Sequence, residues 1–455
     1  VSFWGGVDPV DGRIIDTYHP QCGELLAGRI VLMPTSRGSC SGSGVLLELS
    51  LNGNAPAALI FRDAEDVLTL GALVATRMFD CTLAVARLPA DDYARLASEP
   101  AAEIAGSHLT AGELSLELAP LDVTTLRLSE SDRSTLAGAE GEAVQLAMQV
   151  LCDVAAIQGA TSLIDVTRAH IDGCIYASPA NLTFAERLAN MGARVAIPTT
   201  MNAISVDRDN WERQQVPAAL GIPASRLADA YVKMGAAPTF TCAPYHSKDK
   251  PVLDENIGWS ESNAVIYANS VLGARSVKHP DFLDLFIALT GRAPLSGVYL
   301  DEHRRADLII DIDLPDDHDD AVWPLLGWLV GQLAPGQIPL LRGLDKTPVQ
   351  PDDLRHAETS VIVTLSRETR QQAADEGLLD TLTQSGVQLI TDLCWCSISE
   401  PVFPPEAKTL MTNSGKYAHY GPALSGRAVR FGGLATCARA AQTGFADDMP
   451  PAWLA

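Results

Sequence analysis

Arg29-Ile30-Val31-Leu32-Met33-Pro34 runs directly into Thr35-Ser36-Arg37-Gly38-Ser39-Cys40-Ser41-Gly42-Ser43-Gly44. The first segment reads as a short apolar strand. The second is small, polar and rich in glycine, and reads as a turn. A second strand-like run, Ala57 to Phe61, comes next, followed by Asp63 to Ala75 in a helical pattern. Strand, turn and helix in alternation predict an α/β domain.

The same alternation returns further on. Leu116 to Arg127 is mixed in character, leads into the polar Ser129-Glu130-Ser131-Asp132, and reads as a linker. Ala143 to Ile157 carries apolar residues at helical spacing and closes at Gly159, a natural helix stop. Beyond it, Ala193 to Ile197 reads as a strand, Phe282 to Leu289 as a helix, and Leu308 to Ile312, Val361 to Leu365 and Gly386 to Ile390 as strands. The expectation is a small α/β domain over residues 1–127 joined to a larger α/β domain over 128–455.

The net charge of -23, from 33 basic and 56 acidic residues, speaks against nucleic acid, whose binding needs clustered Lys and Arg. No stretch is apolar for long enough to make a membrane helix, and Val1-Ser2-Phe3-Trp4-Gly5-Gly6 has no signal-peptide character. These features predict a cytoplasmic protein, a monomer or homo-oligomer, that touches neither nucleic acid nor membrane.

Several polar clusters stand at the ends of apolar runs. The serine-rich turn could bring Ser39, Ser41 and Ser43 beside backbone amides that form an anion-binding nest; its bland reading is a surface loop. No Gly-Lys-Ser/Thr follows, which excludes a nucleotide P-loop. Arg168-Ala169-His170-Ile171-Asp172-Gly173-Cys174, Pro198-Thr199-Thr200-Met201-Asn202-Ala203 and Thr412-Asn413-Ser414-Gly415-Lys416-Tyr417 are the other candidate loops. Ligands of α/β sheets gather at such strand ends. A lone histidine such as His170 or His419 is more commonly structural. Trp259-Ser260-Glu261-Ser262-Asn263 could equally cap a helix through Ser260 or Ser262.

Nine cysteines are scattered without C-x-x-C spacing, so neither a zinc ribbon nor a ferredoxin pattern is present. Cys22, Cys81 and Cys152 read as core thiols. Cys40 and Cys174 fall in candidate site loops. Cys242 lies between prolines, Cys394 and Cys396 follow an apolar strand and would share one side of an extended chain, and Cys437 follows Phe431-Gly432-Gly433-Leu434.

At these residues the sequence resembles the aconitase X family. Ser2-Phe3-Trp4-Gly5-Gly6-Val7-Asp8-Pro9 and Arg37 to Ser43 look like the family's swivel domain. Pro198 to Ala203, Thr241-Cys242-Ala243-Pro244-Tyr245, Trp259 to Ala264, Tyr267-Ala268-Asn269-Ser270 and Leu410 to Tyr417 look like its catalytic domain. The resemblance implies a hydro-lyase with an iron–sulfur cluster held by Cys242, Cys394 and Cys437, with Cys396 the rival for the second place. It implies that a swivel-domain serine is the base, at the position of Ser39, with Ser43 the alternative. His170, Gly173, Cys174, Thr200, Asn202, Ser414 and Lys416 would join Ser43 in holding a small hydroxy-acid substrate. Fusion of both domains in one chain resembles the branch that dehydrates cis-3-hydroxy-L-proline, and the stretch Lys278-His279-Pro280-Asp281 agrees with it. The alternatives are another small hydroxy acid, such as mevalonate 5-phosphate, or a cluster-free binding or regulatory homologue. Between Arg342 and Val361 the chain is shorter than the family pattern.

Overall fold

Strand β1, Ile30–Met33, pairs in parallel with β2, Ala58–Phe61, which pairs in parallel with β3, Ala84–Arg87. Every residue of β2 is buried, as a central parallel strand requires. In this computed structural model, which describes residues 1–314, 317–344, 360–398 and 400–446, the chain forms two units. The first unit holds Val1–Ile204 and Ile222–Tyr299; the second holds Ser205–Gly221 and Leu300–Ala455. The domain boundary expected at residue 127 falls inside the first unit.

The crossovers in the β1–β2–β3 sheet are the helices Gly42–Leu51 and Val67–Phe79. They approach so closely that a Cβ on Gly71 would lie 2.7 Å from the Ser43 carbonyl oxygen. Leu46, Leu49, Leu59, Leu68 and Phe3 fill the core between these helices and the sheet. The other face carries an antiparallel meander of β4, Glu103–Ala105, β5, His108–Ala111, and β6, Leu114–Glu117. Ile60, Leu88, Leu109 and Leu114 join the two.

The rest of the first unit is built on β7, Leu163–Asp165, β8, Ala169–Ile171, β9, Thr199–Met201, β10, Gly258–Trp259, and β11, Arg292–Pro294. β7 and β11 pair antiparallel. β10, β8 and β9 form a parallel sheet with β8 at its centre. The long helix Glu142–Ile157 and the apolar helix Leu283–Thr290 pack on this region, the latter buried over nearly its whole length.

Among its described residues the second unit contains three parallel strand pairs, each with a helical crossover. β12, Leu308–Asp311, pairs with β13, Pro339–Arg342; β14, Val361–Leu365, with β15, Val387–Thr391; and β16, Thr409–Thr412, with β17, Ala428–Phe431. Residues 345–359, most of the shortened stretch, lie outside the described residues.

Several expectations are corrected here. Residues 193–197 form no ladder, because Val195 and Ala196 donate their N–H groups to the carbonyls of Met234 and Ala288; the strand begins at Thr199. The helix expected from Asp63 starts at Val67, since the Glu65 carboxylate accepts from the amides of Leu68 at 2.7 Å and Thr69 at 2.9 Å and fixes the start there. Gly42, Ser43 and Gly44 are not turn residues but open the helix Gly42–Leu51. Glu261, rather than either neighbouring serine, caps the helix Ser262–Tyr267. Trp395–Ser397 is a 3-10 turn, so Cys394 and Cys396 do not share an extended strand. Cys22 is exposed, while Cys81 is half-buried and Cys152 buried.

Candidate active site

The chain leaves the C-terminal ends of β8 and β9 at Asp172 and Asn202, and that of β10 at Ser260-Glu261. Asn202 Nδ2 donates to Asp172 Oδ1 at 2.6 Å and to Glu261 Oε2 at 2.8 Å, bridging the ends of all three strands. The Asp172 main-chain N–H donates to Asp284 Oδ2 at 2.6 Å. Asp284 is fully buried, and burial, followed by the neighbouring Asp281, pushes its carboxyl up to about 8.

The turn after β1 delivers Cys40 to this edge. Its thiol donates to Asp172 Oδ2 at 2.9 Å, and Lys278 Nζ lies 3.7 Å from the same oxygen. Burial pushes the Cys40 thiol well up; Asp172 and Asp281 add to the effect and Lys278 opposes it. Cys40 therefore stands as a neutral hydrogen-bond donor. Burial works to lower the Lys278 pKa, but the Asp172 and Asp281 carboxylates beside it act the other way and hold it raised. The lysine stem is 37% exposed while its nitrogen is buried, so the charge reaches inward.

Donor atoms of Cys40, Asp172 and Asp281 lie within 4.8 Å of one another, a spacing that suits a metal ion. One observation argues against that use. The Lys278 ammonium already supplies a cation to the group. The arrangement is better suited to recognising charge and moving protons.

Ser39 is half-buried beside this group. Its Oγ is 3.9 Å from Cys40 Sγ and 3.3 Å from Ser41 Oγ, and it accepts from the Ser41 N–H at 3.3 Å. Ser43 is fully buried and donates to the Cys40 carbonyl at 2.8 Å and the Asp281 carbonyl at 3.3 Å. The amides of Gly42, Ser43 and Gly44 donate to the carbonyls of Ser39, Cys40 and Ser41, so these three are not open to an anion as the nest expectation held. Gly38 is required for the approach: its φ is +92°, and a Cβ there would collide with Ser2 Oγ.

The other expected residues of the first unit fall into two groups. Asn202 is at the centre of the network. His170 and Thr200 bond each other, Nδ1 to Oγ1, at 2.8 Å, and burial lowers the His170 pKa to about 4, which keeps the ring neutral. The Gly173 carbonyl accepts from Tyr231, and Cys174 is buried with its thiol donating to the Ile171 carbonyl. Cys242 is half-buried on a loop, and its carbonyl accepts from Asn263 Nδ2 at 2.8 Å.

In the second unit, Cys394 is buried just beyond β15, and Cys396 is half-buried within the turn that follows. Ser414 caps the helix Gly415–Ser425 by accepting from the Tyr417 N–H, and Lys416 is exposed. Cys437 sits in the first turns of the helix Leu434–Thr443, and burial with help from Asp320 pushes its thiol up to about 11.

Asp172, Glu261, Lys278 and Asp281 were not among the residues expected in the site. Each stands inside or beside a motif noted in the sequence, but nothing in linear spacing ties residue 172 to residue 281. The usable signal was charge placed directly against apolar helix, as in Lys278-His279-Pro280-Asp281 before Phe282 to Leu289.

Comparison with known proteins bears on these parts. Family models described as aconitase X swivel domain, first domain and third domain match residues 1–112, 125–302 and 349–443. A cis-3-hydroxy-L-proline dehydratase from Pseudomonas aeruginosa is 43% identical over 550 aligned positions, covering 100% of this chain and 95% of that protein. One from Hypocrea jecorina is 39% identical, covering 100% and 94%. Both alignments are longer than this chain, so these relatives carry residues that it lacks. The phosphomevalonate dehydratase large subunit of Thermococcus kodakarensis is 32% identical over 48% of the chain and 54% of its own length. A crystal structure of Thermococcus kodakaraensis aconitase X, holo-form, superposes with a TM-score of 0.61 at 23% identity, covering 70% of this chain and 100% of that one, and so shares the fold.

Proposed function

Because this chain belongs to the aconitase X family, we propose that it removes water from cis-3-hydroxy-L-proline to give a pyrroline-2-carboxylate. It is a hydro-lyase, with a swivel domain N-terminal to catalytic domains. The observation that carries the substrate is end-to-end identity with two dehydratases of that amino acid, against half-chain identity with the phosphomevalonate enzyme. The division into a swivel domain over 1–127 and a catalytic domain over 128–455 belongs to the same proposal.

The reaction takes the proton from the ring carbon bearing the carboxylate and the hydroxyl from its neighbour. Together they make one water, and no oxidant is needed. Ser39 is the proposed base, supported by its place beside Cys40 and at the positive end of the helix Gly42–Leu51. Ser43 is disfavoured because its hydroxyl is engaged by two carbonyls in the core. Lys278 and the Cys40 thiol, both beside Asp172, are the proposed donors for charge developing on the substrate carboxylate.

The family also implies an iron–sulfur cluster. The chemistry of the donors fits one: Cys242, Cys394 and Cys437 are cysteines without disulfides, and sulfur is the ligand such clusters take. Cys396 remains the rival of Cys394. When bound, the cluster would supply a Lewis-acidic iron to the leaving hydroxyl. Ser414 and Lys416 belong to this proposal as substrate contacts, as does a cytoplasmic location; among the described residues no helix is long and apolar enough to cross a membrane.

The test is turnover of cis-3-hydroxy-L-proline by anaerobically purified protein, with iron and acid-labile sulfide measured on the same sample. Turnover with a bound cluster supports the reading. A bound cluster with turnover only of mevalonate 5-phosphate or another hydroxy acid overturns the substrate. A colourless, inactive protein supports the cluster-free alternative.

A further inference from the structure

The strand-end group carries more acceptors than donors. Asp172, Asp281 and Glu261 bring three carboxyl groups to one edge, with Lys278 as the cation among them. Asp281 is 2% exposed, and its Oδ1 has no hydrogen-bond partner. Asn202 is 1% exposed, and its Oδ1 is also without one, although its Nδ2 is doubly engaged. A buried acceptor left unmatched is costly, so such atoms mark the place of a missing donor. Lys278 Nζ is buried and without a hydrogen-bond partner as well, so an open cationic donor stands beside open acceptors, and a ligand that carries both an anion and a protonated amine would match both.

We propose that Asp281, beside Asp172, receives the ring ammonium of an α-amino acid substrate while Lys278 receives its carboxylate. This rests on the hydroxyproline reading and deepens it by naming the chemical feature recognised. In an α-amino acid both charges are attached to one carbon, so one anionic and one cationic side chain must stand close together. Lys278 and Asp281 do so, and both sit against the Cys40–Asp172 pair. The same charge arrangement repels a phosphate, which separates this chain from the phosphomevalonate class by physics rather than by identity.

The probes are L-proline, whose ring carries the ammonium, and tetrahydrofuran-2-carboxylate, in which oxygen replaces it. Calorimetric titration of the cluster-bound protein should show L-proline binding about 10- to 100-fold more tightly, the range of one charge-assisted hydrogen bond. Asp281→Asn should shrink that preference at least tenfold, and Lys278→Gln should weaken both ligands alike. Should Asp281→Asn fail to fold, Asp281→Ser, smaller and equally uncharged, replaces it. An undiminished preference in the folded variant overturns the proposal, as does equal binding of both probes by the unaltered protein. Turnover is read separately. Hydroxyproline turnover with an Asp281-independent preference sinks only this inference, whereas an Asp281-dependent preference without turnover sinks only the assigned reaction.

Discussion

Oδ2 of Asp172 accepts a 2.9 Å hydrogen bond from the thiol of Cys40, a residue 132 positions earlier in the chain. Burial holds that thiol protonated, so it donates at neutral pH. Cys40→Ala removes the donor and leaves a carboxylate oxygen with Lys278 alone. The expected result is a loss of about 10- to 100-fold in kcat/KM with the fold retained, as for a charge-assisted bond. Steady-state kinetics beside a thermal melt checks it. In the unaltered protein, alkylation of Cys40 followed by mass spectrometry should be far slower than that of the exposed Cys22.

Ser39 and Ser43 should separate cleanly. Ser39→Ala is expected to keep iron and sulfide at normal levels and abolish turnover. Ser43→Ala should lower the stability by about 1 kcal/mol through its lost buried bond while leaving Ser39 chemistry in place. Full turnover by Ser39→Ala would remove it from the mechanism.

Cys242→Ala should lose bound iron, and normal iron content there would dismiss the ligand assignment. Cys437 adds a pH effect. Its thiol, pushed up to about 11, must give up its proton to bind metal, so iron loading should rise with pH in reconstitution. A Cys437→Ala variant, lacking a ligand as Cys242→Ala does, should fail to load iron at any pH.

Arg77 on the helix Val67–Phe79 grips Asp153 on the helix Glu142–Ile157 with both carboxylate oxygens bonded, at 2.8 to 3.0 Å. Asp153 is 4% exposed, and burial already raises its pKa against the help of Arg77. Removing the arginine leaves a buried carboxyl alone. Arg77→Ala should lower the unfolding free energy by roughly 1–3 kcal/mol, read by chemical denaturation.

Three buried groups set opposing slopes of stability against pH. Burial lowers His170 to about 4 and His279 to about 3, from an ordinary 6.5, so the folded state binds fewer protons than the unfolded one. Their contribution is present above the ordinary histidine value and is lost on acidification towards the folded values. Asp284 is raised to about 8, so its contribution is present at low pH and is lost as pH climbs from the ordinary carboxyl value through the folded one. Two histidines outweigh one aspartate on the acid side, and the aspartate acts alone above it. Thermal melts across roughly pH 4.5 to 8.5 should peak near the ordinary histidine value.

The strands were readable because their apolar runs are short and end in glycine or polar clusters; Ile30–Met33, Ala58–Phe61 and Val361–Leu365 lie where the runs predict. Residues 193–197 misled because Val195 and Ala196 bond to carbonyls at helix ends rather than to a strand, which local pattern does not encode. Asn202 was legible from its position after an apolar run. Lys278 and Asp281 were visible as charges but not as partners of Cys40, because that juxtaposition is created by tertiary packing. The division into two units at residues 204, 222 and 299 likewise follows from contacts, not from composition.

The Cys40–Asp172 bond joins the stretch that matches the aconitase X swivel domain, residues 1–112, to the stretch that matches the first domain, residues 125–302. Here both partners are on one polypeptide within one unit. Their encounter is thus intramolecular, governed by an effective concentration that the covalent connection fixes. Specific activity should therefore hold constant as the protein is diluted, where an enzyme assembled from separate subunits would lose its site by dissociation.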